Sequence, residues 1–75
     1  MELQEFLKGF ANQFDDTDAS EINENTNYRD LEEWSSLTGM SVIAFVRTQY
    51  GKTLTGEDIR RHTTVKELFD FIATK

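Results

Sequence analysis

Cysteine and proline are absent from the chain, and it holds a single histidine and a single tryptophan. Without cysteine there is no disulfide framework and no thiolate metal site, which fits a reducing compartment. Without proline there is no Pro-rich linker, and neither an internal repeat nor a low-complexity tract divides the sequence. Long apolar runs are missing too: nothing approaches the ~20 apolar residues of a membrane span. The opening MELQEFLKGF has no basic leading segment and no unbroken apolar one, so no secretory signal is expected and the cytoplasm is the default location. Positive charge is scarce. Eight basic against 14 acidic residues give a formal net charge of −6, which opposes binding to nucleic acid or to an anionic membrane surface and favours basic or metal-bridged partners. A catalytic set is lacking as well, because the serines have no histidine near them in sequence; the chain is not expected to be an enzyme, and a monomer is expected.

What is present suits one small helical domain over residues 1–75. A chain of this size hides only about 60% of the surface its unfolded form exposes, so stability should be a few kcal/mol and an enclosed active site has no room. The 37% hydrophobic content and six phenylalanines still suffice for a compact core. Leu3, Phe6, Leu7, Phe10 and Phe14 recur at helical spacing and predict an amphipathic helix over residues 2–14, in which Gly9 costs about 1 kcal/mol relative to alanine. Residues 15–27, DDTDASEINENTN, read as a solvated acidic loop pinned by Ile22. The run Asp16, Asp18, Ser20 fails as a calcium loop, since Glu21 stands where glycine is needed and Asn27 where glutamate is needed. Tyr28, Leu31 and Trp34 follow at spacing three and predict an inward-packing turn; Trp34 either anchors the loop or lies half-buried beside Ser36.

Trp34 to Tyr50, WSSLTGMSVIAFVRTQY, is the longest weakly charged run, with Arg47 its only formal charge. Ser35 predicts an N-cap and Ser36 the first helical residue. On a helical wheel Gly39, Val42, Ile43, Val46 and Tyr50 form a core stripe with Phe45 at its margin. The opposite face carries Leu37, Met40, Ser41, Ala44, Arg47 and Thr48, apolar in its upper half, with Ser36 at its top. On residue types alone, the two serines merely cap a helix and Leu37 and Met40 are covered by another element. The sharper reading is a hydroxyl placed to bear a phosphate-containing group, since free N–H groups and the helix dipole favour an anion there.

Gly51 is placed to end that helix in the left-handed conformation. Thr55 with Asp58 starts a short helix over about 56–61 that buries Ile59, and Thr64 with Glu67 is a capping box before Val65, Leu68, Phe69 and Ile72. His62 reads as a surface residue at a helix end. The expected core includes Phe6, Phe10, Ile22, Val42, Val46, Ile59, Leu68 and Ile72.

S-S-L, a helix ending in Tyr-Gly, T-L-T-G-E-D-I and H-T-T-V-K-E-L-F-D-F-I together resemble the acyl carrier protein family, whose motif is D-S-L. The resemblance spans nearly the whole chain. It implies an all-α, right-handed four-helix bundle of three main helices and a short third. It also implies that Ser36 carries 4'-phosphopantetheine, whose thiol holds cargo as a thioester. The implied partners are a phosphopantetheinyl transferase, an acyl- or aminoacyl-loading ligase, and synthase or transferase enzymes of a fatty-acid, polyketide or other specialised pathway. Three departures stand out: Ser35 replaces Asp, Glu32-Glu33-Trp34 replaces Leu-Gly-x, and Ser41, Arg47 and Thr48 occupy positions where fatty-acid carriers present acids. They point away from the housekeeping fatty-acid carrier and toward a specialised one whose partner surface is Trp34, Leu37, Met40, Ser41, Ala44, Arg47 and Thr48. An aminoacyl or peptidyl carrier and an unmodified helical interaction module remain as alternatives.

Overall fold

Four α-helices, α1 (Leu3–Ala11), α2 (Ser36–Tyr50), α3 (Gly56–Arg61) and α4 (Val65–Ala73), make up the computed structural model, which describes residues 2–75. Single 3₁₀ turns at Ala19–Glu21 and Tyr28–Asp30 interrupt the long connection between α1 and α2. Among the described residues there is no strand beyond an isolated antiparallel bridge between Asn27 and Thr64. α1 packs on both α2 and α4, and α3 lies against α2. No described helix is long and apolar enough to cross a membrane.

Local chemistry sets each boundary. Ser35 Oγ accepts from the Thr38 N–H at 3.3 Å to start α2, and Gly51 ends it at φ 65°. Thr55 with Asp58 and Thr64 with Glu67 form reciprocal capping boxes at α3 and α4, as the sequence predicts. Lys52 Nζ donates at 3.2 Å to the Ile72 carbonyl in the last turn of α4 and to the Lys75 oxygen beyond it.

All eight expected core residues are buried, and Phe14, Tyr28, Phe45, Leu54 and Val65 join them. α1 is shorter than its apolar spacing predicts, stopping at Ala11. Phe14 nevertheless remains buried, packed at a tilt against Phe10 with ring centroids 5.6 Å apart. In α2 the stripe is shifted: Phe45 is buried rather than marginal, while Ile43 and Tyr50 are half-buried. The reason lies in α1. Gly9 presents bare backbone to α2, and the Phe45 ring fills the space in which a Cβ on Gly9 would sit. A glycine that weakens an isolated helix thus makes room for the Phe45 ring of α2 against the α1 backbone.

The acidic connection is more ordered than a solvated loop. Asp18 caps its 3₁₀ turn, Asn23 and Thr26 close a turn, and the Glu24 and Thr26 carbonyls accept from the Lys66 and Val65 N–H groups at 2.9 and 3.1 Å. Ile22 is buried beneath it as expected. His62 is half-buried: its Nδ1 lies 2.7 Å from the Asp58 carbonyl and its ring 4.8 Å from that of Phe71.

Candidate functional site

The start of α2 is held from three directions. Tyr28 is fully buried, and its hydroxyl donates to the carbonyls of Ile59 and His62, joining the turn before α2 to the end of α3. Burial pushes this phenol up to about 12. Trp34 packs on Tyr28 and Phe14, with centroids 5.2 and 6.2 Å away, and covers Gly39 on the first turn of α2. Its anchoring role is thus realised, and its exposed part borders a groove beside Ser36.

Glu33 supplies the third hold. Its carboxylate accepts from the N–H groups of Asp15 and Asp16 at 2.6 and 2.9 Å and from the Thr17 hydroxyl at 2.7 Å. The Thr17 hydroxyl foremost, then the two N–H groups, hold this carboxyl below the usual range. Meanwhile the Glu33 carbonyl accepts from Thr38 Oγ1 at 3.0 Å, so this residue ties the exit of α1 to the first turn of α2. In the sequence Glu33 stands out only as part of the Glu32-Glu33-Trp34 departure from the family pattern. No local spacing announces a carboxylate whose partners lie 16 to 18 residues away.

Two serines stand at this point and differ in what binds them. Ser35 Oγ is committed, accepting from Thr38 N–H and lying 3.3 Å from Thr38 Oγ1. Ser36 is exposed, and among the described residues no hydrogen bond engages its hydroxyl or the N–H groups of Ser36 and Leu37. Below it, Leu37 and Met40 are 74% and 66% exposed, so no element covers them and the plainer sequence reading fails on this point. Ala44, Arg47 and Thr48 continue the exposed face, with Ser41 half-buried at its edge. Between α2 and α3 runs an open groove of about 430 Å³, walled by Trp34, Met40, Ile43 and Ile59, with Ser36 at its border.

Over residues 5–72 the sequence matches the family described as phosphopantetheine attachment site. The chain belongs to that family. The acyl-carrier resemblance read from S-S-L and H-T-T-V accordingly holds, and 4'-phosphopantetheine is the group that this family bears. Comparison with curated proteins and with solved structures gives no match. The residues present here fit such a group: a free, exposed hydroxyl on the first turn of a 15-residue helix, unpaired N–H groups beside it, and an open groove adjoining it. Among the described residues no cluster of His, Cys, Asp or Glu is arranged to hold a metal ion.

Proposed function

We propose that this protein carries 4'-phosphopantetheine on Ser36 and presents a thioester-linked acyl group to partner enzymes of a specialised pathway. The observation that carries the choice of residue is the contrast in hydrogen bonding between two exposed serines: the Ser35 hydroxyl is bound into the helix cap, whereas that of Ser36 has no partner among the described residues. In loading by a phosphopantetheinyl transferase, Ser36 Oγ forms the new phosphate ester, the phosphoanhydride bond of coenzyme A breaks, its adenosine portion leaves with the other phosphate, and the hydroxyl proton passes to solvent or to the transferase. The arm supplies a thiol that holds the cargo as a thioester. The chain itself does positioning. Ser35 fixes the helix start, the unpaired N–H groups of the first turn favour the negative charge, and Glu33, Trp34 and Tyr28 hold that turn rigidly on the bundle.

Partner enzymes, including an acyl- or aminoacyl-loading ligase and a synthase or transferase, meet the exposed face of Leu37, Met40, Ala44, Arg47 and Thr48, with Ser41 and Trp34 at its edges. The exposure of Leu37 and Met40 supports this, because apolar side chains left open beside a modification point suit a protein contact. The absence of acids from α2 supports a specialised carrier over the housekeeping fatty-acid one.

Incubation with coenzyme A and several broad-specificity transferases, followed by peptide mapping, tests the assignment. A mass increase confined to Ser36 is expected, and Ser36→Ala should abolish it while leaving the thermal melt nearly unchanged, since an exposed hydroxyl contributes little to stability. Modification at Ser35, or none with any transferase, would refute the assignment.

A further inference from the structure

Two clefts meet at the start of α2, and their charges are opposite. On the α1 side, Asp15 and Glu33 line a cleft shared with Ser35 and Leu37. On the α3 side, Arg29 and Arg60 line the groove walled by Trp34, Met40, Ile43 and Ile59, and no acidic residue borders it. Ser36 borders the arginine-lined groove and not the acidic cleft. In a chain of net charge −6, two cations therefore share a groove free of acids with the proposed attachment residue.

Neither arginine is otherwise employed. Among the described residues, the ion pairs are Arg61 with Glu57 and Lys66 with Asp70, and neither guanidinium of the groove takes part. Arg60 reaches back along α3, its Nη1 3.5 Å from where a Cβ on Gly56 would lie, so the guanidinium stands at the end of the helix that lines the groove. Guanidinium groups bind phosphate and carboxylate oxygens through paired charge-assisted hydrogen bonds. Asp15 and Glu33 repel the same anion from the opposite cleft.

We infer that Arg29 and Arg60 form a two-guanidinium clamp for an anionic oxygen group attached through Ser36, either the phosphodiester of the arm or a carboxylate at the far end of its cargo. The inference rests on the carrier reading, and adds to it a selectivity device built from this chain's own cations. Because both arginines are solvent-exposed, the clamp is salt-sensitive.

The test loads Ser36 by a transferase from coenzyme A, from pentanoyl-coenzyme A and from glutaryl-coenzyme A, the last two differing by a terminal carboxylate. Mass spectrometry confirms each product, and the side-chain Nε–Hε signals of the arginines are then followed by NMR. Movement of the Arg29 and Arg60 signals on loading from coenzyme A identifies the phosphodiester as the anion; movement that appears only with the glutaryl form identifies the cargo carboxylate. In either case Arg47 and Arg61 should stay in place. The shifts should fall at least twofold near 1 M salt, where the screening length is about 3 Å. In Arg29→Gln/Arg60→Gln, the perturbation of the Ile43 and Ile59 methyl signals by the same group should fall at least twofold. Loaded protein whose Arg29 and Arg60 signals stay fixed in all three forms overturns the clamp while leaving the carrier reading intact. Failure to load at all overturns the carrier reading, and the clamp with it.

Discussion

Gly9 and Tyr28 are each worth more than their residue types suggest. Replacing Gly9 by alanine gains about 1 kcal/mol of helix propensity. The added methyl, however, occupies space held by the Phe45 ring, and overpacking of this kind costs about 1–3 kcal/mol. A net loss is expected, seen as a thermal midpoint several degrees lower, so a Gly9→Ala variant more stable than the parent would contradict the packing of α1 on α2. Tyr28→Phe should cost roughly 1–2 kcal/mol, because the buried contact to the Ile59 carbonyl and the part-buried one to that of His62 lose their donor. It also has a pH signature. The folded phenol is raised from 10.0 to about 12 by burial, so its contribution is complete below the unfolded value and is lost as pH rises through this window. Denaturant melts of the parent should weaken across it, and those of Tyr28→Phe should weaken less, with Tyr50, also raised by burial, accounting for a remainder.

Helices here are delimited by caps and joined by a few long-range polar ties. The Glu33 latch links the exit of α1 to the entry of α2, and its carboxyl is lowered on folding. A lowered carboxyl contributes stability above its unfolded value, near 4.5, that is lost as pH falls through the folded one. Glu67, lowered by the N–H groups of Thr63 and Thr64, acts in the same sense at α4. Acid titration followed by circular dichroism should find Glu33→Gln less stable than the parent at neutral pH, with the two curves converging at low pH. Curves that stay parallel would mean that the latch does not depend on the carboxylate. α4 contributes mainly through packing. Leu68 and Ile72 are fully buried, so Leu68→Ala or Ile72→Ala should cost about 2–5 kcal/mol, comparable with the whole margin of so small a domain. Thermal melts of these variants give the comparison.

At the scale of the whole molecule, charge and apolar surface are separated. The acids cluster on the α1–α2 connection, whereas α2 offers Leu37, Met40 and Ala44 with Arg47 beyond them. Apolar residues at the centre of a contact tend to dominate its energy, while peripheral charges set association rate and orientation. In kinetics of cargo loading by the cognate enzyme, Met40→Ala and Ala44→Glu should each lose much more activity than neutralisation of Glu21 or Glu24. Arg47→Glu should harm the cognate reaction and improve docking to a fatty-acid synthase, by placing an acid where fatty-acid carriers present one. Greater losses from the loop variants would move the docking surface to the loop.

Local signals in the sequence placed most helix boundaries, although α1 ends at Ala11 rather than 14 and the Asp18-capped turn lay unread inside the acidic loop. Ser35, Thr55 and Thr64 mark starts, Gly51 marks an end, and the periodic apolar residues place the core, because caps and periodicity act over three or four residues. The segments S-S-L, T-L-T-G-E-D-I and H-T-T-V-K-E-L-F-D-F-I likewise carry the family resemblance in the sequence alone. Tertiary structure decided what depends on distant partners. It set Glu33 as a latch, seated Phe45 on Gly9, turned the Tyr28 hydroxyl to the end of α3, left Leu37 and Met40 uncovered, and brought Arg29 and Arg60 to one groove with Ser36. These are pairings between residues far apart in the chain, which no spacing rule along a single element can specify, and it is through them that a common helical domain acquires a site of its own.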